Sequence, residues 1–260
     1  YIKTSRFFNN AMIDKKNFVD SIKYEDKNKI SKLYDKILLC NKTGNTAFSD
    51  EFYPPNVWRS LEELQESIPV NIFSNGIFEG SERRIIAFSP DEIWHYPMEL
   101  IKITNKSSFR TLCHRDYLGS IMSLEIIREK FGDLILEDNK CYVPIQEELT
   151  EYVIYNLKNV GNCPCTVEIV DIYTEGLPKY NFEDLNIIAS SNRIDCILSG
   201  ITNLSRSKAL DLISSGKVLI DYLPVKNKDK IVKEQSIITI RGFGKYKFIE
   251  VCGSTGSGRL

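Results

Sequence analysis

Four short runs in this 260-residue chain carry residue types that can do chemistry. Leu204-Ser205-Arg206-Ser207-Lys208-Ala209-Leu210 sets a helix-capping serine ahead of two cations. With Ser205 as the cap, backbone N–H groups stay unpaired in a first turn whose dipole favours an anion over Arg206 and Lys208. A phosphate there would accept from those N–H groups, from Ser207 and from the Arg206 fork together. The plainer reading of such a run is a solvated basic face. Cys113-His114-Arg115-Asp116 has the types of a nucleophile, base and acid. Neighbours on one helix point apart, however, with Cys113 on the apolar stripe and His114 off it, and catalytic partners converge from separate elements. The same run lacks the Asn that a kinase catalytic loop places five residues on, because position 121 is Ile. Cys163-Pro164-Cys165 reads as a loop with two ordinary thiols; a metal would need two further ligands, and neither His95 nor His114 has a paired spacing with it. Gly242-x-Gly244 lacks a third glycine and opens no helix, so it is no dinucleotide fingerprint. These runs call for no metal, nucleotide or prosthetic group.

The chain holds 34 Lys+Arg against 35 Asp+Glu, a net charge of −1, which excludes a uniformly basic nucleic-acid binder. The balance hides an asymmetry. Residues 190–247 carry 11 Lys+Arg and 5 Asp+Glu, leaving 23 against 30 elsewhere, as expected of one basic module on an acidic body. No run approaches the roughly 18 apolar residues of a membrane span, and Tyr1-Ile2-Lys3-Thr4 is not a secretory signal. The chain opens on Tyr1 rather than Met, so the native start is expected to lie elsewhere. Seven cysteines, an odd number placed mostly singly, point to a reducing, cytoplasmic compartment.

The elements that must position these residues form an α+β chain of three segments. Residues 1–66 read as a helical region, with Phe18, Ile22, Ile30, Leu33 and Ile37 at helix-like intervals, breakers at Gly44 and Pro54-Pro55, and a short closing helix over 58–67. Residues 67–178 read as a central α/β layer. Its expected strands are 70–73, 84–88, 100–103, 134–136, 141–143 and 167–170, the fourth and fifth turning at Asp138-Asn139. Its helices are one capped by Ser107 or Ser108, with Phe109, Leu112, Cys113, Tyr117 and Ile121 on the apolar face, and one opening at Glu147-Glu148 and stopping at Gly161. Residues 179–260 follow a linker over 175–186. They read as helices over 192–198 and 205–214, strands over 217–221, 237–241 and 246–251, and a Gly/Ser-rich tail over 253–258.

Arg193-Ile194-Asp195, the run 204–209, Gly216-Lys217-Val218 and Ile240-Arg241-Gly242-Phe243-Gly244-Lys245 together resemble the RNA-binding domain typified by ribosomal protein S4, a module of αL shape. The departure is Glu234-Gln235, where that family shows Gly-Asp. Asn75-Gly76-Ile77-Phe78-Glu79-Gly80, Arg83-Arg84, His114-Arg115-Asp116-Tyr117-Leu118-Gly119 and Arg128-Glu129-Lys130-Phe131-Gly132-Asp133 resemble motifs of the YlmH family of bacterial RNA-binding proteins. Glu125 departs from it, since a Gly is common there. The resemblance runs from about residue 70 onward. It implies an RRM-like central layer and an S4-like C-terminal domain. It also implies binding of rRNA and tRNA on the large ribosomal subunit with peptidyl-tRNA, in the ribosome-associated quality control that supports alanine tailing of stalled chains.

On this reading the RNA contacts are Arg193, Arg206, Ser207, Lys208, Lys217, Arg241, Lys245 and Lys247, with Arg83, Arg84, Arg115, Arg128 and Lys130 as a second set. Phe243 and Tyr246 are stacking candidates, core packing being expected of at least one. Arg206 and Lys208 are expected to be exposed, so that exchanging both for Glu leaves the fold intact. The chain is expected to be a non-enzymatic monomer whose further partner is a translation-rescue or cell-division protein. The alternatives are an RNA-modifying enzyme such as a pseudouridine synthase, for which residues 70–170 are short and lack the catalytic Asp motif, and a pure interaction factor in division.

Overall fold

A computed structural model describes residues 12–253 except Glu175. Residues 1–11 of the expected helical region, Glu175 of the linker and the tail from 254 lie outside the described residues. The chain divides into two compact units, Tyr1–Tyr180 and Asn181–Leu260. Among the described residues no helix is long and apolar enough to cross a membrane.

The first unit opens with α1 (Lys15–Ser21), where the Asp14 carboxylate accepts the Asn17 N–H at 3.1 Å. The next helix, α2 (Lys27–Thr43), is capped by Asp26 and stopped by Gly44 at φ 71. Its buried side is Ile30, Leu33, Tyr34, Ile37 and Cys40, the spacing of one helical face. Then comes a strand, β1 (Ala47–Tyr53), and α3 (Pro55–Glu63) with Pro55 in its first turn. A 3₁₀ turn, Gln65–Ser67, leads to β2 (Asn71–Asn75) and β3 (Arg84–Ser89). The three strands form an antiparallel sheet in the order β1-β3-β2.

This corrects two expectations. Residues 1–66 are not all helical, and strands 70–73 and 84–88 pair with β1 rather than joining the central layer. The polar Ser49-Asp50-Glu51 hides β1, because the register shifts between Phe48 and Phe52 and breaks the alternation. Buried Ser49 makes up the lost pairing: its hydroxyl accepts the Ile86 N–H at 3.0 Å and donates to the Glu51 carbonyl at 2.7 Å.

The central layer consists of β4 (Met98–Asn105), α4 (His114–Met122), β5 (Ile135–Glu137), β6 (Lys140–Gln146), α5 (Glu147–Asn156), β7 (Asn159–Val160) and β8 (Cys163–Val170). Its antiparallel sheet runs β5-β6-β4-β8-β7. Both helices pack on one face, where Tyr117, Ile121 and Val153 meet Ile101, Ile103, Cys141 and Val143. The hairpin turn falls as expected, with Asp138 at φ 51.

Three local expectations fail here. Helix α5 ends at Asn156, and Gly161, expected to stop it, instead turns β7 into β8 at φ 57. Helix α4 starts at His114, not near Ser107 or Ser108, and Phe109 is 98% exposed. The buried Asn105 holds residues 106–112 as a loop, accepting the Ser107 N–H at 2.9 Å and donating to the Arg110 carbonyl at 2.8 Å. Cys113 is thus an exposed N-cap rather than part of an apolar stripe. The run Cys163-Pro164-Cys165 is strand, not loop, with both thiols turned into the core.

The other face of this sheet is partly covered. Phe78 packs on Leu100, Ile135, Tyr142 and Val170, flanked by Leu177 and Tyr180. The turn that delivers Phe78 needs Gly76, since a Cβ there would lie 2.4 Å from the Arg83 carbonyl oxygen.

In the second unit, α6 (Ile194–Thr202) and α7 (Arg206–Ser214) precede β9 (Val218–Ile220), β10 (Leu223–Pro224), β11 (Ile237–Ile240) and β12 (Gly244–Lys247). The sheet order is β10-β9-β11-β12. Ile194, Ile197, Leu198, Ala209 and Ile213 of the helices bury Val218, Ile220, Ile238 and Ile240 of the sheet. Helix α6 runs four residues past the expected end, to Thr202, and is capped by Asn203 at φ 55. The last strand begins at Gly244 rather than 246.

Both departures from the family pattern sit at left-handed backbone: Glu125 at φ 65 and Gln235 at φ 66. A β-carbon there costs about 1–2 kcal/mol, part of which glycine's larger unfolded entropy offsets. We therefore expect Glu125→Gly to stabilise the chain by about 0.5–1 kcal/mol, seen as a Tm rise of about 2 °C in thermal melts. An unchanged or lower Tm would refute this account of the position.

Candidate nucleic-acid interface

The first turn of α7 is built around a buried carboxylate. Asp195 is 2% exposed, and its oxygens accept Nε and Nη2 of Arg193 at 3.1 and 3.0 Å. Nε and Nη2 of Arg206 reach it at 2.9 Å each, and the Cys196 N–H at 3.0 Å. Burial acts most strongly on this carboxyl and raises its pKa. The Arg193 and Arg206 bonds together outweigh it and bring the value down to about 2. Arg193 also meets Asp229, and its bonds to Asp195 hold the guanidinium above its ordinary pKa.

The anion that the cations of this turn call for is therefore, at Arg206, one that the fold supplies. Arg206, Ser207 and Lys208 are all exposed, as expected, and Ser205 caps the helix by accepting the Lys208 N–H at 3.4 Å. Tolerance of a reversal at Arg206 does not follow from that exposure, because a glutamate would face buried Asp195.

The other four candidates of this unit come together by strand register. Val218, Ile220, Ile238 and Ile240 point to the helices, so alternate residues face away. Arg241 donates its backbone N–H to the Lys217 carbonyl at 2.9 Å, continuing the β9–β11 register. Thr239 is paired with Lys245, and Ile237 with Lys247. Lys217, Arg241, Lys245 and Lys247 thus share the outward face of the sheet, across the core from the helix layer that carries Arg193 and Arg206.

The Lys245 ammonium lies 5.2 Å from the ring centre of Tyr222. Phe243 is exposed at the β11–β12 turn, while Tyr246 packs into the core and donates its hydroxyl to the Phe243 carbonyl at 3.2 Å. The sequence reading passed over Lys226, Lys228, Lys230 and Lys233, all exposed between β10 and β11. Their signal was the charge count alone, with no motif to single them out.

The second set fares differently. Arg84 donates to the Ser81 carbonyl and lies 4.1 Å from the centre of the Trp58 ring. Arg128 donates to the Phe131 carbonyl at 2.7 Å and covers its ring; burial first, then the like charge of Arg83, pushes its pKa below the ordinary arginine value. Arg83 reaches the Phe52 carbonyl at 3.4 Å. Lys130 bonds the Asp50 carbonyl at 3.0 Å and pairs with Glu148 at 3.2 Å.

All four are met by protein groups, and Lys130 joins the N-terminal segment to the central layer, as does Lys29 between Glu51 and Glu129. Arg115, in the first turn of α4, is exposed. The neighbouring Asp116 accepts the Cys113 N–H at 2.8 Å, a bond that holds its carboxyl below the ordinary range. That carboxylate serves as a helix cap, not as the third member of a Cys–His–Asp set.

The Asp195 cluster sets a testable acid limit. A carboxyl lowered from 3.8 to about 2 contributes about 2 kcal/mol at neutral pH. That contribution is present above pH 4 and is lost as pH falls through 2. Asp195→Asn should therefore destabilise the second unit by about 2–4 kcal/mol at pH 7 and flatten the acid limb of its urea stability profile. An unchanged midpoint at pH 7 would show that the cluster does not hold the module.

Residues 91–174 match the family described as "Putative RNA-binding domain in YlmH". The chain is 25% identical over 187 residues to the "Ribosome-associated protein quality control protein P2" of Bacillus subtilis (strain 168), covering 70% of this chain and 72% of that protein. The solved structure of "Cell division protein ylmH from Streptococcus pneumoniae" is similar with a TM-score of 0.47 and 21% identity, over 58% of this chain and 96% of that one. Over residues 91–174, where α4 and α5 lie on one face of the antiparallel sheet, this chain is thus similar to the RNA-binding domain described for YlmH.

Proposed function

We propose that the chain is a cytoplasmic, non-enzymatic RNA-binding protein of ribosome-associated quality control. It would bind rRNA and tRNA on large subunits that still carry peptidyl-tRNA, supporting alanine tailing. The observation that carries this reading is the outward face of the C-terminal sheet, where Lys217, Arg241, Lys245 and Lys247 are set in register. Alternating cations on a rigid sheet, with Phe243 exposed at its turn, suit phosphates and shape rather than base sequence.

An S4-like module in the second unit fits the same order of helices and strands. Ser207 and Lys208 extend the contact on the helix layer, and Arg193 and Arg206 serve first to hold Asp195. The name of the Bacillus subtilis relative gives independent support for the ribosomal setting.

The test is gradient co-sedimentation with empty large subunits, large subunits carrying peptidyl-tRNA, and small subunits, at two salt concentrations. We expect preferential, salt-sensitive binding to the peptidyl-tRNA sample. Because Lys217 and Arg241 are exposed, Lys217→Glu with Arg241→Glu should preserve the fold and weaken binding at least tenfold. Binding to none of the three samples, or binding indifferent to that double reversal, would overturn the reading.

A further inference from the structure

The central domain has one positively charged end that the fold leaves open, and nothing above assigns it. At the opposite end, the Gln146 side chain and Lys130 both bond the Asp50 carbonyl, joining that end to the N-terminal segment. That end is also acidic, with Asp91, Glu92, Glu147, Glu148 and Glu151 exposed. The helix-free face of the sheet, where an RRM stacks bases, is closed over Leu100, Tyr142 and Val170 by Phe78. Further along the same face, Lys102 is paired with Glu168 at 3.1 Å.

The remaining end is where β4 and α5 finish and where α4, β6 and β8 begin. Backbone bonds hold it together: Asn105 N–H to the Asn139 carbonyl at 2.8 Å, Lys106 N–H to the Pro164 carbonyl at 2.8 Å, and Cys165 N–H to the Lys158 carbonyl at 2.9 Å. Lys106, Arg110, Arg115 and Lys158 are exposed there, and Lys140 is half-buried. The acids at this end are Asp116, Glu137 and Asp138. Asp116 is engaged by the Cys113 N–H and Arg110, and Glu137 is the cross-strand neighbour of Lys140. Phe109 projects from the Asn105-pinned loop at 98% exposure, and exposed Tyr155 lies under the Lys158 ammonium at 5.4 Å.

We propose that this loop end is a second RNA site, taking an unpaired stretch of nucleotides. Phe109 is the stacking platform, and Lys106, Arg110, Arg115 and Lys158 track the phosphates. An exposed aromatic ring among cations on short, pinned loops is the arrangement that holds unstacked bases. The proposal rests on the reading of the chain as RNA-binding, and it moves the central contact away from Arg83, Arg84, Arg128 and Lys130.

The experiment uses the full chain, with fluorescence anisotropy on labelled oligouridylate and on labelled unfractionated tRNA. Phe109→Ala should weaken oligouridylate binding about tenfold and leave the salt slope unchanged. Arg115→Glu with Lys158→Glu should weaken both probes and lower the oligouridylate salt slope by about 1 to 1.5. All three side chains are exposed, and thermal melts check that the variants stay folded. Wild-type affinity in these variants, alongside a weakened Lys217→Glu/Arg241→Glu chain, overturns this site while leaving the RNA-binding reading intact. Retained RNA binding with lost ribosome co-sedimentation assigns the loop to a protein contact and overturns it as well. A wild-type chain that binds neither probe nor any subunit defeats the underlying reading itself.

Discussion

A carboxylate withdrawn from water must be met by donors, and Asp195 meets that demand with two arginines from either side of α6. Arg193 lies just before the helix and Arg206 just after the turn that follows it. Neutralising one buried charge therefore fixes the ends of both helices and ties in the 227–231 stretch through Asp229 and the Arg193–Ile231 bridge. The outward sheet face depends on this indirectly, because the helices so fixed supply the core on which β9 and β11 are laid. Asp133 plays the matching part in the first unit. It accepts the N–H groups of Glu82 and Arg83 and the Tyr180 hydroxyl, and so holds both the Phe78 turn and the 177–180 stretch against the central sheet. Burial raises the pKa of that tyrosine, and the neighbouring carboxylate adds to the effect.

Cations in this chain sort by what has already met their charge. Arg84, Arg128 and Lys130 lie in motifs that read as RNA-binding from sequence, yet each is bonded to protein acceptors or laid over a ring. Lys217, Arg241 and Lys247 have no such engagement among their described bonds, and strand alternation turns them outward. A basic residue in a nucleic-acid-binding protein thus says little by its type. What decides is whether desolvation and pairing have been completed by the fold, and that depends on neighbours distant in sequence.

Elements whose signals are local were legible. The hairpin at Asp138-Asn139, the acidic start of α5 and the Ser205 cap stand where turn and cap chemistry put them, whereas α5 ends at Asn156 and Gly161 turns β7 into β8. Strand β1 was not legible, because its bulge breaks the two-residue period and a buried serine substitutes for the missing ladder bond. The start of α4 was misplaced because Ser107-Ser108 has the composition of a cap. Asn105, fixed by the hairpin opposite, takes the Ser107 N–H for its own turn. Of the candidate site, the sheet cations could be read from alternation once the strands were drawn. The internal role of Arg206 could not, since nothing in its own run announces that an acid eleven residues earlier is buried beside it.

The same accounting explains why an RNA-binding domain can carry a net acidic body. Charge opposed to RNA is harmless where it is paired or turned toward other protein, and at one end of the central domain it is both. Glu148 pairs with Lys130, and Glu129 with Lys29. Acids concentrated at the junction leave the far end of the same sheet with a local excess of cations. At separations beyond about 8 Å in physiological salt, that far end is screened from the junction acids. Local charge at the two ends, not the chain total of −1, then sets where a polyanion can settle. The partly covered outer face of the central sheet points the same way by shape. Phe78 is seated over Leu100, Tyr142 and Val170, while Phe109 at the loop end stands 98% exposed.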